Sequence, residues 1–320
     1  MTLSVWAPDG APGVGEGDDL AAMLVGLVGA GGLEDGDVVV VTSKVVAKSE
    51  GRVRAGDRAE AIAEETVRVV ARRGGTAIVR TRQGLTMAAA GVDASNVEPG
   101  QVVLLPVDPD ASARGIRARL HQLTGRVVGV VVTDTAGRAW REGQTDIAVG
   151  AAGLLVTQSF AGQVDGYGNP LAVTAPAVAD EIAGAAELVQ GKLGGRPFAV
   201  VRGRADLVLP AGEEGPGAVA LIRPDGTDMF GYGAREAVMH ALDQDGDPGA
   251  FGAPMPAAEL RELLDTWIRT WVQVQGDEIL VEDVEGPRQL AVVVAAYAHG
   301  WEVASRNDSS VRLRPSGPFT

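Results

Sequence analysis

The sequence predicts an α+β protein with two parts, a large mixed α/β domain over residues 1–242 and a small α+β appendage over residues 257–320. Two observations indicate this division. Apolar runs typical of strands alternate with amphipathic helical stretches as far as about residue 242. The sequence DQDGDPGAFGAPMP then predicts a linker at residues 243–256, because Gly, Pro and Asp at this density interrupt regular structure.

The elements of the large domain follow from hydrophobic periodicity. Leu20, Met23, Leu24, Leu27 and Val28 recur at helical spacing, and two acidic residues precede them, where they favour a helix N-terminus. Further helices are predicted at 58–72, at 176–191 and around Ile116, Leu120 and Leu123. Strands are predicted at 36–42, 77–81, 102–105, 126–133 and 198–202.

The appendage repeats this alternation on a smaller scale. Its first helix is predicted to carry an apolar stripe formed by Leu260, Leu263, Leu264, Trp267 and Trp271. We expect this stripe to be buried within the appendage and partly against the large domain or a partner subunit. The sequence DEILVEDV then predicts a strand, PRQLAVVVAAYAHG a helix, and WEVAS and SVRLRP two more strands.

Composition argues against several classes of protein. No run of 18 apolar residues predicts a membrane span, and the start MTLSVWAPDG lacks the basic and apolar regions of a signal peptide. The absence of cysteine excludes disulfides, thiolate nucleophiles and Cys-ligated zinc, which fits a cytoplasmic protein. A net charge of −14 argues against nucleic-acid binding, which depends on phosphate neutralisation.

Lysine is scarce in this chain. Only Lys44, Lys48 and Lys192 occur among its 28 basic residues, so each lysine suggests a place where the forked guanidinium of arginine does not fit. Chance in a composition rich in arginine is the alternative explanation.

Four segments gather polar residues that a core would not accommodate. They are TSKVVAKSEGR (42–52), AAGVDASNV (89–97), VVVTDTAGRAWREGQTD (130–146) and DGYGNPLAVTAPAVADEIAGAAELVQGK (165–192). Carboxylates beside Ser, Thr and Asn oxygens suit Mg²⁺, and nearby lysines or arginines would neutralise phosphate. The alternative is structural: Asp93 begins an Asx-turn, Asp134 caps a helix, and the arginines pair with local acids.

Other motifs contribute little. The sequences GAPGVGEGD and VQGKLGG match neither the Rossmann nor the P-loop pattern, so a nucleotide would bind in another way. His121, His240 and His299 have no metal-ligand spacing and are predicted to be structural.

Long motifs in matching order over about residues 1–242 resemble the coenzyme F420-0:L-glutamate (γ-glutamyl) ligase family. They are GDVVVVTSKVVAKSEGR, AGVDASNVEPG, VDPDASARGIRARLHQLTGRVVGVVVTDTAGRAWREGQTDIAVG and DGYGNPLAVTAPAVADEIAGAAELVQGK. The resemblance implies a two-lobed α+β fold, an intertwined homodimer and a reaction that uses GTP with Mn²⁺ or Mg²⁺, K⁺ being an additional activator. In that reaction a carboxylate of F420-0 takes the γ-phosphoryl group of GTP, and the amine of L-glutamate attacks the acyl phosphate.

Site residues carry over from this resemblance by position. The implied nucleotide contacts are Ala11, Pro12, Gly13, Val14, Ser43, Lys44, Lys48, Asn96, Gln190, Gly191 and Lys192, within a segment that extends to Pro197. Asp93 and Asp134 match ligands of one metal and Thr135 matches a ligand of a second. Lys192 departs from the family pattern, since it stands where an acidic or amide ligand of the second metal can occur.

Catalytic roles are expected for Lys48, which would face the phosphates, and for Arg138 and Arg141, which would face anionic groups of nucleotide or substrate. The alternative is an inactive nucleotide- or F420-binding protein on the same scaffold. Retention of Asp93, Asp134 and Lys48 together favours the enzyme.

Overall fold

The computed structural model describes residues 2–29, 31–224, 227–243 and 252–317. By its internal contacts the chain divides into two units, Met1–Val69 with Thr76–Ile222 and Val70–Gly75 with Arg223–Thr320. Most of the predicted linker, residues 244–251, lies outside the described residues. In the described ranges no helix has both the length and the apolar character needed to cross a bilayer.

The regular elements as far as residue 202 are strands interspersed with helices. In chain order they are β1 (Ser4–Trp6), α1 (Leu20–Val28), β2 (Val38–Thr42), α2 (Ser43–Ser49), β3 (Val53–Ala55), α3 (Arg58–Glu65), β4 (Thr66–Arg73), β5 (Thr76–Thr81), β6 (Thr86–Ala88), β7 (Gln101–Val103), α4 (Pro109–Thr124), β8 (Gly129–Gly137), β9 (Gln144–Ala152), β10 (Gln163–Val164), β11 (Pro170–Leu171), α5 (Val178–Gln190) and β12 (Phe198–Arg202). Later elements are α6 (Ala234–Leu242), α7 (Ala257–Ile268), β13 (Trp271–Gln275), β14 (Glu278–Glu282), α8 (Gly286–Ala298), β15 (Trp301–Arg306) and β16 (Ser310–Pro315).

The largest sheet has the strand order β1-β12-β2-β8-β9. Strands β2 and β8 run parallel, with Val38 opposite Gly129 and Thr42 opposite Thr133. The other neighbours in this sheet are antiparallel. The smaller sheets, the mixed central sheet and the interspersed helices confirm the α+β class predicted from the sequence.

Helices cover both faces of this sheet because successive strand residues point to opposite sides and both sides are apolar. Val39 and Val41 of β2 belong to the core formed with α1 and α4, whereas Val38 and Val40 belong to the core formed with α5. Full burial of such a side chain stabilises the fold by about 1.5–3 kcal/mol. The two cores therefore hold β2 and β8 firmly in place.

Two predictions about this region are wrong. The helix predicted at 58–72 ends at Glu65 and continues as β4, whose first half, TVRVV, is rich in β-branched residues and therefore favours a strand. Leu123 of α4 is 39% exposed, although its helical neighbour Leu120 is fully buried as predicted. Strand β9 was not predicted at all.

The appendage has its own antiparallel sheet, of order β13-β14-β16-β15. Leu260 and Leu264 of α7 are fully buried in its core, as predicted. The prediction for the tryptophans is wrong: Trp267 is 80% exposed, and Trp271 lies on β13 and is 53% exposed. The helix ends at Ile268 and the chain turns at Arg269, whose φ of 53° is left-handed, so Trp271 cannot continue the helical stripe.

Candidate active site

Parallel pairing of β2 and β8 brings the ends of these strands to one edge of the sheet. Ser43 follows β2 at the start of α2, and Asp134 lies beside it on β8, just past the paired residues. The Ser43 hydroxyl donates a hydrogen bond of 3.0 Å to Asp134 Oδ1. Ligands commonly bind at the carboxyl ends of strands in such sheets, where helices and loops leave a crevice.

Asp134 is a carboxyl group in an environment that disfavours its charge. Burial, opposed by the hydrogen bond from Ser43 and reinforced by the charge of Asp146, raises the pKa of Asp134 to about 6. A nearby cation would compensate for this lost solvation, since an ionised carboxylate is a strong ligand for a hard metal ion.

Asp93 approaches the same helix end from another segment. A bridge to Val103 holds its backbone, and Lys44 Nζ contacts Asp93 Oδ2 at 2.5 Å. Ser95 donates to both carboxylate oxygens, from its backbone amide and its hydroxyl, each at 2.8 Å. Burial raises the pKa of Asp93, but the bonds from Lys44 and Ser95 outweigh burial and lower it to about 2. This carboxyl is therefore ionised throughout the physiological range.

The two lysines of α2 are one helical turn apart and share a face. Lys48 Nζ donates at 2.6 Å to the carbonyl of Asn96, which has a left-handed φ of 57°. Lys44 is held by Asp93 as described above. Helix α2 thus presents two ammonium groups that are fixed by the segment 93–96.

A cavity of about 330 Å³ lies beside α2. The predicted site residues that line it are those of segments 11–14 and 190–192, together with Lys44, Lys48, Asn96 and Thr135. The structure therefore brings together residues that the sequence distributes over some 180 positions. Ser43, Asp93, Asp134, Arg138 and Arg141 are not among the lining residues.

The segment that follows α5 forms another wall of this cavity. The carbonyl of Pro197 accepts a hydrogen bond of 3.0 Å from the amide of Thr42, which fixes this segment to the end of β2. Arg196 Nε donates to Asp9 Oδ1 at 2.6 Å, which ties the segment to the loop that follows β1. The glycine-containing segments 11–14 and 190–192, together with Gly195, thus line one cavity.

Two acidic residues that line the cavity were missed from the sequence. Asp146 of β9 lies opposite Thr135 and accepts hydrogen bonds from Thr133 at 2.9 Å and from Thr135 at 2.8 Å. Glu187 of α5 has its pKa raised to about 7 by its hydrogen bond with Asp146, by burial and by the charge of Asp146, while Lys192 opposes the shift. Both residues lie within polar segments that the sequence analysis singled out, 130–146 and 165–192, but neither was identified as a site residue.

The two arginines predicted to be catalytic lie in the loop that joins β8 to β9. Arg138 and Arg141 occupy the exposed connection between β8 and β9, where Arg138 donates a long hydrogen bond of 3.4 Å to the Glu142 carbonyl. Of the histidines, His240 contacts the Tyr297 hydroxyl at 2.8 Å and His299 contacts the Ala295 carbonyl at 2.7 Å. These contacts agree with the structural role predicted for the histidines.

This arrangement can bind a polyanion together with a divalent cation. Three lysines and two glycine-rich segments supply positive charge and backbone donors for phosphate. The described residues contain no cluster of three or more His, Cys, Asp or Glu side chains able to enclose a metal. Mg²⁺ does not need one, since one or two carboxylates with water and phosphate suffice. Asp134 contacts Ser43 and Asp93 contacts Lys44, both in the first turn of α2.

Fold and site together define a protein with a mixed sheet and a lysine-lined cavity at the ends of its parallel strands, without a P-loop sequence. The F420-0:gamma-glutamyl ligase family model matches residues 10–66 and 55–203. The chain is 41% identical over 223 residues to the coenzyme F420:L-glutamate ligase of Archaeoglobus fulgidus, covering 63% of this chain and 88% of that protein. The protein of the same name in Methanothermobacter thermautotrophicus is 36% identical over 255 residues, 72% of this chain and 99% of the relative. The protein of that name in Methanopyrus kandleri is 40% identical over 238 residues, which cover 67% of this chain and 92% of the relative.

The chain therefore belongs to the F420-0:gamma-glutamyl ligase family. The family match includes every residue that lines the cavity and stops before the appendage begins.

Proposed function

We propose that this chain is a GTP-dependent ligase that adds L-glutamate to coenzyme F420-0 and builds its γ-linked glutamate tail. The names of the relatives support the substrates. The observation that carries the proposal is the first turn of α2, where Lys44 contacts Asp93 and Ser43 contacts Asp134 beside a cavity lined by Lys44 and Lys48.

The triphosphate of GTP binds against α2 and the glycine-rich segments. Lys48 faces the phosphates because its ammonium lines the cavity and is oriented by the Asn96 carbonyl. Backbone amides of 13–14 and 192–195 complete the phosphate contacts, since glycine allows close approach of the backbone. Phosphoryl transfer is helped mainly by such positioning and by neutralisation of charge.

Asp93 and Asp134 hold a divalent cation, Mn²⁺ or Mg²⁺. The raised pKa of Asp134 supports this assignment, because a bound cation would favour the ionised form that burial disfavours. When bound, the cation neutralises phosphate charge and fixes the geometry of the reacting groups. The resemblance also implies a second cation at Thr135.

The reaction proceeds in two steps. A carboxylate oxygen of F420-0 attacks the γ-phosphorus of GTP, the bond to the bridging oxygen breaks, and GDP leaves. The α-amine of L-glutamate then attacks the acyl carbon of the acyl phosphate and loses a proton, while inorganic phosphate departs. Lys44 and Lys48 stabilise the phosphate charge in both steps. Arg138 and Arg141, on their exposed connection, contact the anionic groups of F420-0.

The enzyme acts as a homodimer. Several large apolar side chains around the short β10–β11 hairpin are exposed, among them Val164, Val173 and Tyr167, which is 95% exposed. Apolar groups of this size in one hairpin region favour burial against a second copy of the chain. Light scattering of the wild type and of a Tyr167→Ser variant tests this proposal, since the variant should dissociate at a higher concentration.

The acyl phosphate can be trapped to test the proposed function. The full chain is incubated with F420-0, GTP and Mn²⁺, with hydroxylamine in place of L-glutamate. The expected result is an F420-0 hydroxamate formed in equal amount to GDP, whereas Asp134→Asn should give neither product. GTP binding without GDP release under all substrate conditions would favour the inactive binding protein instead.

A further inference from the structure

All three lysines of the chain line the same cavity. Lys44 and Lys48 lie on α2, and Lys192 lies across the cavity on the segment that follows α5. The chain uses arginine for its other basic positions, and the two side chains carry equal charge. A compact ammonium is therefore favoured at each of these three positions, as expected beside phosphate groups and metal ions where a planar fork does not fit.

The three lysines differ in the hydrogen bonds that their ammonium groups make within the protein. Lys44 donates to Asp93 and Ser95, and Lys48 donates to the Asn96 carbonyl. Lys192 is exposed and donates no hydrogen bond to any residue in the described ranges, although its charge acts on Glu187. Lys192 is thus the lysine that can reorient fully toward a ligand.

The wall around Lys192 carries a positive charge of its own beside two acidic side chains. The carboxylate of Asp146 accepts one hydrogen bond on each oxygen, from the hydroxyls of Thr133 and Thr135. Glu187 is hydrogen-bonded to Asp146 in turn. An ammonium cannot ligate a metal ion, and it repels one through its positive charge.

We propose that the Lys192 ammonium takes the place of a second divalent cation beside the phosphates, so that this chain binds one divalent cation per nucleotide. The inference rests on the proposed function, because it requires a nucleotide in the cavity. In this arrangement Thr135 keeps its hydrogen bond to Asp146. Lys192 supplies a positive charge that is covalently attached and independent of the metal concentration.

Counting bound Mn²⁺ tests the proposal without measuring activity. The full chain is titrated with Mn²⁺ in the presence of a non-hydrolysable GTP analogue, and free Mn²⁺ is followed by electron paramagnetic resonance. The wild type should bind one Mn²⁺ per bound nucleotide. A Lys192→Glu variant, which introduces a carboxylate at the same exposed position, should bind two.

The matched control is Arg126→Glu. Arg126 is exposed, pairs with Asp35 at 3.4 Å and precedes β8 at the end opposite the cavity, so this variant changes the net charge equally. It should bind one Mn²⁺ per nucleotide. A Lys192→Gln variant should also bind one, with nucleotide affinity about 10-fold weaker, because a charge-assisted hydrogen bond to phosphate is lost.

Two Mn²⁺ ions per nucleotide in the wild type would overturn the proposal, as would one ion in Lys192→Glu. A second ion in the Arg126→Glu control would show that net charge, and not Lys192, determines how many Mn²⁺ ions bind per nucleotide. If the wild type binds no nucleotide at all, both the proposed function and this inference fall. That result differs from an altered count in a nucleotide complex, which concerns Lys192 alone.

Discussion

Replacing Asp134 by asparagine should make the metal-free protein more stable while removing its metal-dependent chemistry. Burial raises the pKa of Asp134 to about 6 from an ordinary value of 3.8. The amide oxygen of asparagine can still accept the hydrogen bond from Ser43, and it carries no charge to desolvate. The substitution therefore removes an unfavourable ionisation without removing the local contact.

The magnitude follows from proton linkage. Because the pKa of Asp134 is higher in the folded state, that state binds more protons between about pH 4 and pH 6, and the free energy of unfolding falls as pH rises through this window. A shift of about two units at about 1.4 kcal/mol per unit gives a penalty of at most about 3 kcal/mol above pH 6. The variant should recover this free energy near neutral pH and almost none at about pH 4.

Denaturant unfolding in EDTA, followed by circular dichroism at both pH values, measures the difference. The control is Asp35→Asn, which changes an exposed carboxyl whose pKa is lowered by the backbone amide of Val127, so it should give no gain. With Mn²⁺ and GTP, the Asp134→Asn variant should neither be stabilised nor release GDP. A variant less stable than the wild type at neutral pH, or one with full turnover, would refute this reasoning.

Three further predictions concern other parts of the chain. Lys48→Arg should raise the KM for GTP about 10-fold in steady-state kinetics, because a planar fork cannot replace an ammonium that also contacts the Asn96 carbonyl; unchanged kinetics would contradict it. Leu264→Ala should lower the free energy of unfolding by about 2–5 kcal/mol, whereas the exposed Trp267→Ala should change it by less than about 0.5 kcal/mol, both measured by denaturant unfolding; equal losses would contradict the fold. A chain ending at Asp243 should keep glutamate ligation, and a folded, inactive product would show that the appendage supplies catalytic groups.

Much of the central sheet could be predicted from the sequence because its strands are continuous apolar runs. VVVVT at 38–42 is buried on both faces and admits few other structures. The segment 58–73 was harder, since a helix and a strand follow each other without an interrupting Gly or Pro. Strand β9 is rich in Gly and Ala, and its pairing with β8 depends on tertiary contacts that local propensity does not encode.

The candidate site was likewise only partly predictable, because some of its residues are brought together by tertiary contacts. Residues in long motifs, such as Lys48 and Asn96, lie together in the structure as the family resemblance implied. Asp146 and Glu187 were missed because their role depends on the β8–β9 register and on which face α5 turns to the cavity. The sequence pattern of α5 predicted its buried side but gave no reason to single out Glu187.

The tryptophan error in the appendage has a physical cause. Helical spacing placed Trp267 and Trp271 on the stripe of Leu264, but periodicity alone does not show where a helix ends. The helix ends at Ile268, and the following left-handed residue turns the chain into an edge strand. Hydrophobicity alone thus overestimated the buried part of this helix.

The mass of the product tests the central claim most directly. The full chain is incubated with F420-0, L-glutamate, GTP and Mn²⁺, and the deazaflavin products are analysed by mass spectrometry together with the GDP released. Ligase activity predicts species heavier than F420-0 by whole glutamate residues, with one GDP formed for each residue added and neither product in EDTA. Unchanged F420-0 with no GDP, from a folded protein that binds GTP, would contradict the assignment of this chain as a ligase.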